Sequence, residues 1–270
     1  MSGDGLASDL DFSIVIPTRD RPRLLRRAVD SALRQTHRSY EIIVVDDASD
    51  PPASIDPGRH AAVSLVRCPS RAGAAAARNI GASHARGRWI SLLDDDDEYE
   101  PEFLSETLSR LRAAAENSFC WCSAVAVEYD RKDRARREIL RRFEEDYPTE
   151  EALLATTVSI GSGYGLTVRA RHFRELGGFD TTFKLIEDTD FLFRLLAAGV
   201  RPVVLSRPLV RIHNHRGPRL TDRTSNLDRI RECERMQAAN ADLIARYPAL
   251  GAYIRCSVEQ LSGPAPRQPP

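Results

Sequence analysis

The run Arg88-Trp89-Ile90-Ser91-Leu92-Leu93-Asp94-Asp95-Asp96-Asp97-Glu98 passes from apolar chain to clustered acid within a few residues. Trp89, Ile90, Leu92 and Leu93 suit a short strand buried in an α/β sheet. Four successive aspartates repel one another, so they need a cation, arginine or lysine partners, or solvent to offset the charge. Open α/β sheets bind ligands at the carboxyl ends of their strands. A hard divalent cation is the natural partner of carboxylates gathered there. A solvated acidic turn ahead of a helix near Pro101 is the competing reading.

The remaining chain supplies that sheet. Phe12 to Pro17 reads as a first buried strand that stops at the proline. Asp20 is placed as an N-cap, with Pro22 in the first turn of a helix that ends near Thr36-His37. Glu41 to Asp47 is a second buried strand with Asp46 and Asp47 at its exit. Val63 to Val66 is a third, and Ala72 to Ala85 an alanine-rich helix carrying Arg78 and Asn79. Three strands therefore end at one edge, on Pro17-Thr18, Asp46-Asp47 and Asp94 to Asp97. The order predicts a mostly parallel sheet with right-handed crossovers. Neither G-x-G-x-x-G nor G-x-x-x-x-G-K-[ST] follows the first strand. A nucleotide here needs another hold on its phosphates, and a metal on Asp94 and Asp96 supplies one.

Composition narrows the class. The chain has 270 residues, 39 Lys plus Arg against 39 Asp plus Glu, and 42% hydrophobic residues. Zero net charge argues against a broad nucleic-acid face. No apolar run reaches membrane-spanning length, and Met1 to Asp11 lacks the features of a secretory signal. Five scattered cysteines without zinc spacing fit a reducing cytosol. Cys120 and Cys122, two apart in a strand, point to one face. The expected setting is cytoplasmic, with peripheral contact at the inner face of a membrane left open.

In the second half, Pro101 to Ala115 is a helix and Phe119 to Tyr129 a strand. Arg131 to Arg142 reads as an exposed helix or loop, either paired with nearby acids or attracting a phospholipid headgroup or anionic acceptor. Ile160 to Gly165 is glycine-dense, and Leu185 to Gly199 is a helix with acids in its first turn. Pro202 to Leu205 and Leu209 to Ile212 are two short strands. His213 and His215 follow at alternate positions, able to share a metal. Arg216 and Arg219 lie in a loop from His215 to Thr224 that reads as a lid. Asn226 to Ala245 is an amphipathic segment for packing on the domain or for a homodimer contact.

Four motifs in order then carry a resemblance: Ile14-Val15-Ile16-Pro17-Thr18, Ile42 to Ser49, Gly73 to Gly81, and Leu93 to Asp97, joined by the later Glu187-Asp188. Together they resemble family 2 glycosyltransferases with the GT-A fold over residues 12 to 215. The resemblance implies a Rossmann-like α/β domain with helices on both faces of a mostly parallel sheet, plus a C-terminal helical extension. It implies a nucleotide-sugar donor, usually a UDP-sugar, and Mg²⁺ or Mn²⁺ held through a D-x-D motif. By position, Pro17 and Thr18 line the uridine pocket, and Asp47 meets the uracil with Asp46 beside it. Asp94 approaches ribose or metal, Asp95 lies between, and Asp96 ligates the metal. Arg71 and Arg78 are nucleotide contacts. Asp188 is the base that takes the acceptor's proton, supported by Glu187, and a nearby buried acid is expected to raise the pKa of Asp188. His213 reaches the metal, and His215 with Arg216 the diphosphate. Arg19-Asp20 stands where the family often has Tyr-Asn, which bears on the base pocket.

The expected organisation is a disordered N-terminus over 1–11 and a catalytic domain over 12–217. Within that domain, 12–100 binds nucleotide and metal, and 101–217 binds acceptor. A helical extension over 218–262 and a disordered tail over 263–270 complete the chain. The acceptor class stays open among glycan, lipid-linked, small-molecule and carrier-protein-bound hydroxyls or amines. A nucleotidyltransferase and a non-catalytic nucleotide-sugar binder are the alternative functions. The first would want a glycine-rich basic loop in place of Pro17-Thr18-Arg19-Asp20.

Overall fold

β1 (Phe12–Thr18) and β2 (Tyr40–Asp46) are buried almost throughout, as strands covered on both faces must be. The computed structural model describes residues 10–55, 62–130, 134–215 and 225–262. Its sheet runs β3-β2-β1-β4-β8-β6-β9-β5, with β7 paired to β6 off that path. β3 (Val63–Arg67), β2, β1 and β4 (Trp89–Leu92) are mutually parallel. The second half is mixed. β8 (Thr167–Arg169) runs antiparallel to β4, while β6 (Ser118–Tyr129) and β9 (Arg201–Asn214) run parallel to each other. β5 (Glu98–Tyr99) closes the edge against β9.

The twofold period of the strands sorts the core into two layers. Val15, Ile43, Val45, Leu92 and Trp121 face one way, onto α2 (Ala74–His84), α4 (Glu150–Ile160), α5 (Ala170–Glu175) and α6 (Glu187–Ala197). Ile14, Ile16, Ile42, Val44, Cys120 and Cys122 face the other, onto α1 (Pro22–Leu33) and α3 (Phe103–Ala113). Both thiols do share one face. Gly81 lets α2 lie against the sheet: a Cβ there would come within 2.4 Å of Val15 and 3.0 Å of Val45.

The chain leaves β1 toward β2 and β3, then returns on β1's other side as β4. That reversal is a topological switch point, where the strand ends splay and leave a crevice. Thr18 and the acidic run occupy it.

Several local expectations need correction. Asp20 is not an N-cap. It sits at φ 55° and its carboxylate accepts from Asp50 N–H at 2.8 Å, while Arg21 takes the cap position before Pro22. Arg134 to Arg142 is not a helix or loop, since β7 (Ala135–Arg141) pairs antiparallel with β6. Residues 131–133 lie outside the described residues. The two short strands after Arg201 are one, β9, with its register slipping opposite Cys122 to Ala124. Leu10 and Asp11, assigned to the N-terminal tail, bond Arg88 and Trp89 through their carbonyls. The C-terminal segment forms α7 (Asn226–Ala239), α8 (Ala241–Arg246) and α9 (Pro248–Ser262). Cys233, Met236, Leu250 and Ile254 bury into the same layer as α4 and α6, so the extension packs on the domain.

Candidate active site

The four aspartates alternate in exposure. Asp95 and Asp97 are buried; Asp94 and Asp96 are half-buried. Asp95 accepts from Thr18 Oγ1 at 2.7 Å and from Arg21 at 3.1 Å, tying β4 to the end of β1. Burial, opposed by Thr18 and Arg21, leaves its pKa at about 6. Asp97 accepts from the backbone N–H of His213 at 2.9 Å. Burial, then the charges of Asp94 and Asp96, push its pKa well up, while burial and then Asp94 raise that of Asp96 against Arg21. Arg21 also reaches Asp96, at 3.0 Å.

Oxygens of Asp94, Asp96 and Asp97 lie within 4.8 Å of one another. Three hard oxygen donors at that spacing fit Mg²⁺ or Mn²⁺. The ligand set expected from sequence had His213 in place of Asp97. Both ring nitrogens of His213 are taken, Nδ1 by the Tyr129 hydroxyl at 2.6 Å and Nε2 by Glu98 at 2.9 Å. Tyr129, at the end of β6, and Glu98 thus hold the ring from both sides. His215 stacks on Tyr129 at 4.6 Å, and its Nε2 lies 3.2 Å from Arg27, which donates to the Asp96 carbonyl at 2.5 Å. It therefore borders the cluster. Arg216 lies outside the described residues.

Arg78 joins the two halves of the site. On α2 and buried, it donates to Asp94 at 2.7 Å and to Glu187 at 3.0 Å. Burial opposes its charge, but Asp94, Glu187 and Asp188 outweigh that and raise its pKa. Asp94 and Glu187, far apart in sequence, thus lie within reach of a single guanidinium. Asp188 accepts from Ser162 N–H at 2.9 Å and Thr189 N–H at 2.7 Å. Gly161, at φ 70°, makes room for it: a Cβ there would sit 2.6 Å from Asp188 Oδ2. The glycine-dense turn after α4 is thereby fitted to the Glu-Asp pair. Glu187 is pushed up to about 7 by burial and then by Asp188, against Arg78.

At the exit of β2 the two carboxylates divide their tasks. Asp46 is fully buried and accepts from Ser49 N–H, Ala53 N–H and Arg67, which together hold the loop after β2 and lower its pKa despite burial. Its role is in the loop. Asp47 accepts from Ala72 N–H at 2.5 Å and Gly73 N–H at 3.0 Å, fixing the entry to α2. Pro17 lies beside Val45 in the sheet register, and Arg71 is exposed just before that entry. Arg21, Arg27, Glu98 and Tyr129 were not singled out from sequence. Only Glu98, adjoining the acidic run, carried a local signal.

The description of Glycosyl transferase family 2 matches residues 13–177. An uncharacterized glycosyltransferase of Haemophilus influenzae is 29% identical over 246 residues, 87% of this chain and 82% of that protein. The pre-mycofactocin glycosyltransferase of Mycobacterium tuberculosis is 30% identical over 77% of this chain, which spans 44% of that protein. Among solved structures, residues 1–349 of S. aureus TarS in complex with UDP-GlcNAc align with a TM-score of 0.67 and 15% identity, covering 93% of this chain and 71% of that one. With its switch-point crevice, its acidic run after β4 and its Glu-Asp pair at the start of α6, the chain belongs to glycosyl transferase family 2.

Proposed function

We propose that the protein transfers a sugar from a UDP-sugar to an acceptor hydroxyl or amine, with inversion at the anomeric carbon, using a divalent cation. The observation that carries this reading is Arg78, which holds Asp94 of the acidic run and Glu187 of the pair on one side chain. The group that would bind the donor's diphosphate and the group that would activate the acceptor then share one crevice. TarS, similar in fold, has been crystallised with UDP-GlcNAc, and this supports a UDP-sugar donor.

Asp94, Asp96 and Asp97 would hold the cation, with Arg21 and Arg27 on its protein side. When bound, it neutralises charge on the departing diphosphate. The crevice at Pro17, Thr18 and Asp47 takes the nucleoside, and Arg71, at the mouth of α2, lies where a nucleotide enters. Asp188, fixed by two backbone N–H groups, takes the acceptor's proton. The acceptor oxygen or nitrogen bonds to the anomeric carbon as the sugar–phosphate bond breaks on the opposite face, which inverts the centre. Glu187, bound to Arg78, positions Asp188 and holds an acceptor hydroxyl.

The test is turnover of a panel of UDP-sugars with Mn²⁺, Mg²⁺ or EDTA, in the native chain and in Asp188→Asn. The reading expects metal-dependent release of UDP, reduced roughly 10²–10⁴-fold in Asp188→Asn with a native circular dichroism spectrum. Full turnover in that variant would remove Asp188 from the role of base. Turnover unaffected by EDTA would remove the cation.

A further inference from the structure

β7 and the end of β6 form a hairpin that the reaction above does not use. Five arginines fall among residues 134–142, namely Arg134, Arg136, Arg137, Arg141 and Arg142, against the single acid Glu138, in a chain of zero formal net charge. Arg134 is paired with Asp130, Arg142 approaches Glu144 at 3.7 Å, and Arg211 occupies Glu138. Arg136, Arg137 and Arg141 are exposed and have no carboxylate within ion-pair distance among the described residues. Leu140 lies between them at 55% exposure, one of three exposed large hydrophobics among the described residues.

Arginines on an edge strand discourage pairing with foreign strands. One or two suffice for that, and an exposed leucine works against it. Arg137 stands across from Glu128 in the register, whereas Arg136 and Arg141 have no acid opposite them; exposed cations around an exposed aliphatic side chain match a different surface, one with anionic headgroups over an apolar interior. Leu140 and Arg141 lie on opposite faces of β7, and Arg136 is the extra residue where the register with β6 shifts, so an edge-on approach presents the leucine together with its neighbouring arginines.

We propose that this hairpin docks on an anionic lipid bilayer, with Arg136, Arg137 and Arg141 meeting headgroups and Leu140 entering the interface. The placement has a consequence for the acceptor. β6 ends at Tyr129, which holds His213, whose backbone N–H binds Asp97. Docking there would bring the acidic crevice close to the bilayer surface, where a lipid-anchored acceptor would be met.

The experiment is sedimentation of the full chain with vesicles of phosphatidylcholine alone or mixed with phosphatidylglycerol. Its readout is binding, so it stands or falls apart from the proposed transfer reaction. Binding to the mixed vesicles only is expected. Changing Arg136, Arg137 and Arg141 to Gln together should weaken it by about 100-fold, at roughly fivefold per charge near the surface. The equal charge change at Arg23, Arg26 and Arg112, exposed on α1 and α3, should leave it within a few-fold. Leu140→Ser should weaken it roughly fivefold. Thermal melts of each variant confirm folding. No sedimentation with the mixed vesicles, or equal losses in the two triple variants, overturns the proposal. So does displacement by soluble polyphosphate with Leu140→Ser binding as tightly as the native chain, which would assign the surface to a soluble polyanion.

Discussion

Glu187→Gln tests the electrostatics of the site through stability. Glu187 is 8% exposed, and burial with the neighbouring Asp188 raises its pKa from an ordinary 4.5 to about 7 although Arg78 donates to it. The folded chain therefore holds this proton more tightly than the unfolded chain. Its contribution is fully present below the unfolded value near 4.5 and is lost as pH rises through about 7. At about 1.4 kcal/mol per tenfold, the loss across that window is about 3 kcal/mol. Glutamine has the shape of the protonated acid, keeps an oxygen for Arg78 and does not titrate. In EDTA, the variant should match the native chain near pH 4.5 and exceed it by about 3 kcal/mol at pH 8, which is roughly 5 °C in Tm for a chain of this size. Catalysis should move the other way, because Glu187 positions Asp188. The measurement is the difference in Tm between the two proteins from pH 4.5 to 8, so that other titrating groups cancel. A flat difference, or a variant that loses stability as pH rises, would refute the account of Glu187 as an acid ionised at a cost.

Two further outcomes follow from the same geometry. Gly161→Ala puts a Cβ 2.6 Å from Asp188 Oδ2 at a left-handed φ. It should cost about 1–2 kcal/mol in a urea melt and lower kcat more than KM, since the displaced group belongs to Asp188, the proposed base. Mn²⁺ at a hundredfold excess over its Kd should stabilise the native chain by about 2.7 kcal/mol in calorimetry. Asp96→Asn should abolish that gain, and an equal Mn²⁺ shift in this variant would place the cation elsewhere.

The parallel strands and their exits were legible because both signals are local. β1, β2 and β4 are apolar runs that end at Thr18, Asp46 and Leu92, with β1 continuing through Pro17, which was expected to stop it. The helix that opens on Glu187-Asp188 was legible for a similar reason: acids in its first turn are followed by the core residues Phe191, Leu192 and Phe193. What was hidden depends on contacts across long stretches of chain. Arg21 meets the acidic run 74 residues on, and Tyr129 meets His213 84 residues on. Nothing near either residue marks the contact, and without Tyr129 the His213 ring reads as a ligand. α4 was missed for another reason. Its Ala, Leu, Thr and Val content lacks a polar stripe, so the helical period has little contrast. β7 was misread because a strand with every arginine exposed has no apolar alternation to reveal it.

The spacing of the acidic run can be argued from its backbone. Asp94 to Asp97 form a turn closed by the Asp97 N–H donating to the Asp94 carbonyl, in which Asp95 and Asp97 are buried and Asp94 and Asp96 half-buried. The buried pair needs partners: Asp95 finds Thr18 and Arg21, and Asp97 finds the His213 amide. Those bonds pull the end of β4 against β1 on one side and β9 on the other, and they fix the turn that carries Asp94 and Asp96. The half-buried pair is thus held in place by the residues between and after it. Asp94 is steadied again by Arg78, while the Asp96 carbonyl is held by Arg27. Asp97 is both an anchor and a third member of the cluster. A run of four acids that looks redundant in the sequence is therefore two interleaved pairs, one building the turn and the other offering it to a cation.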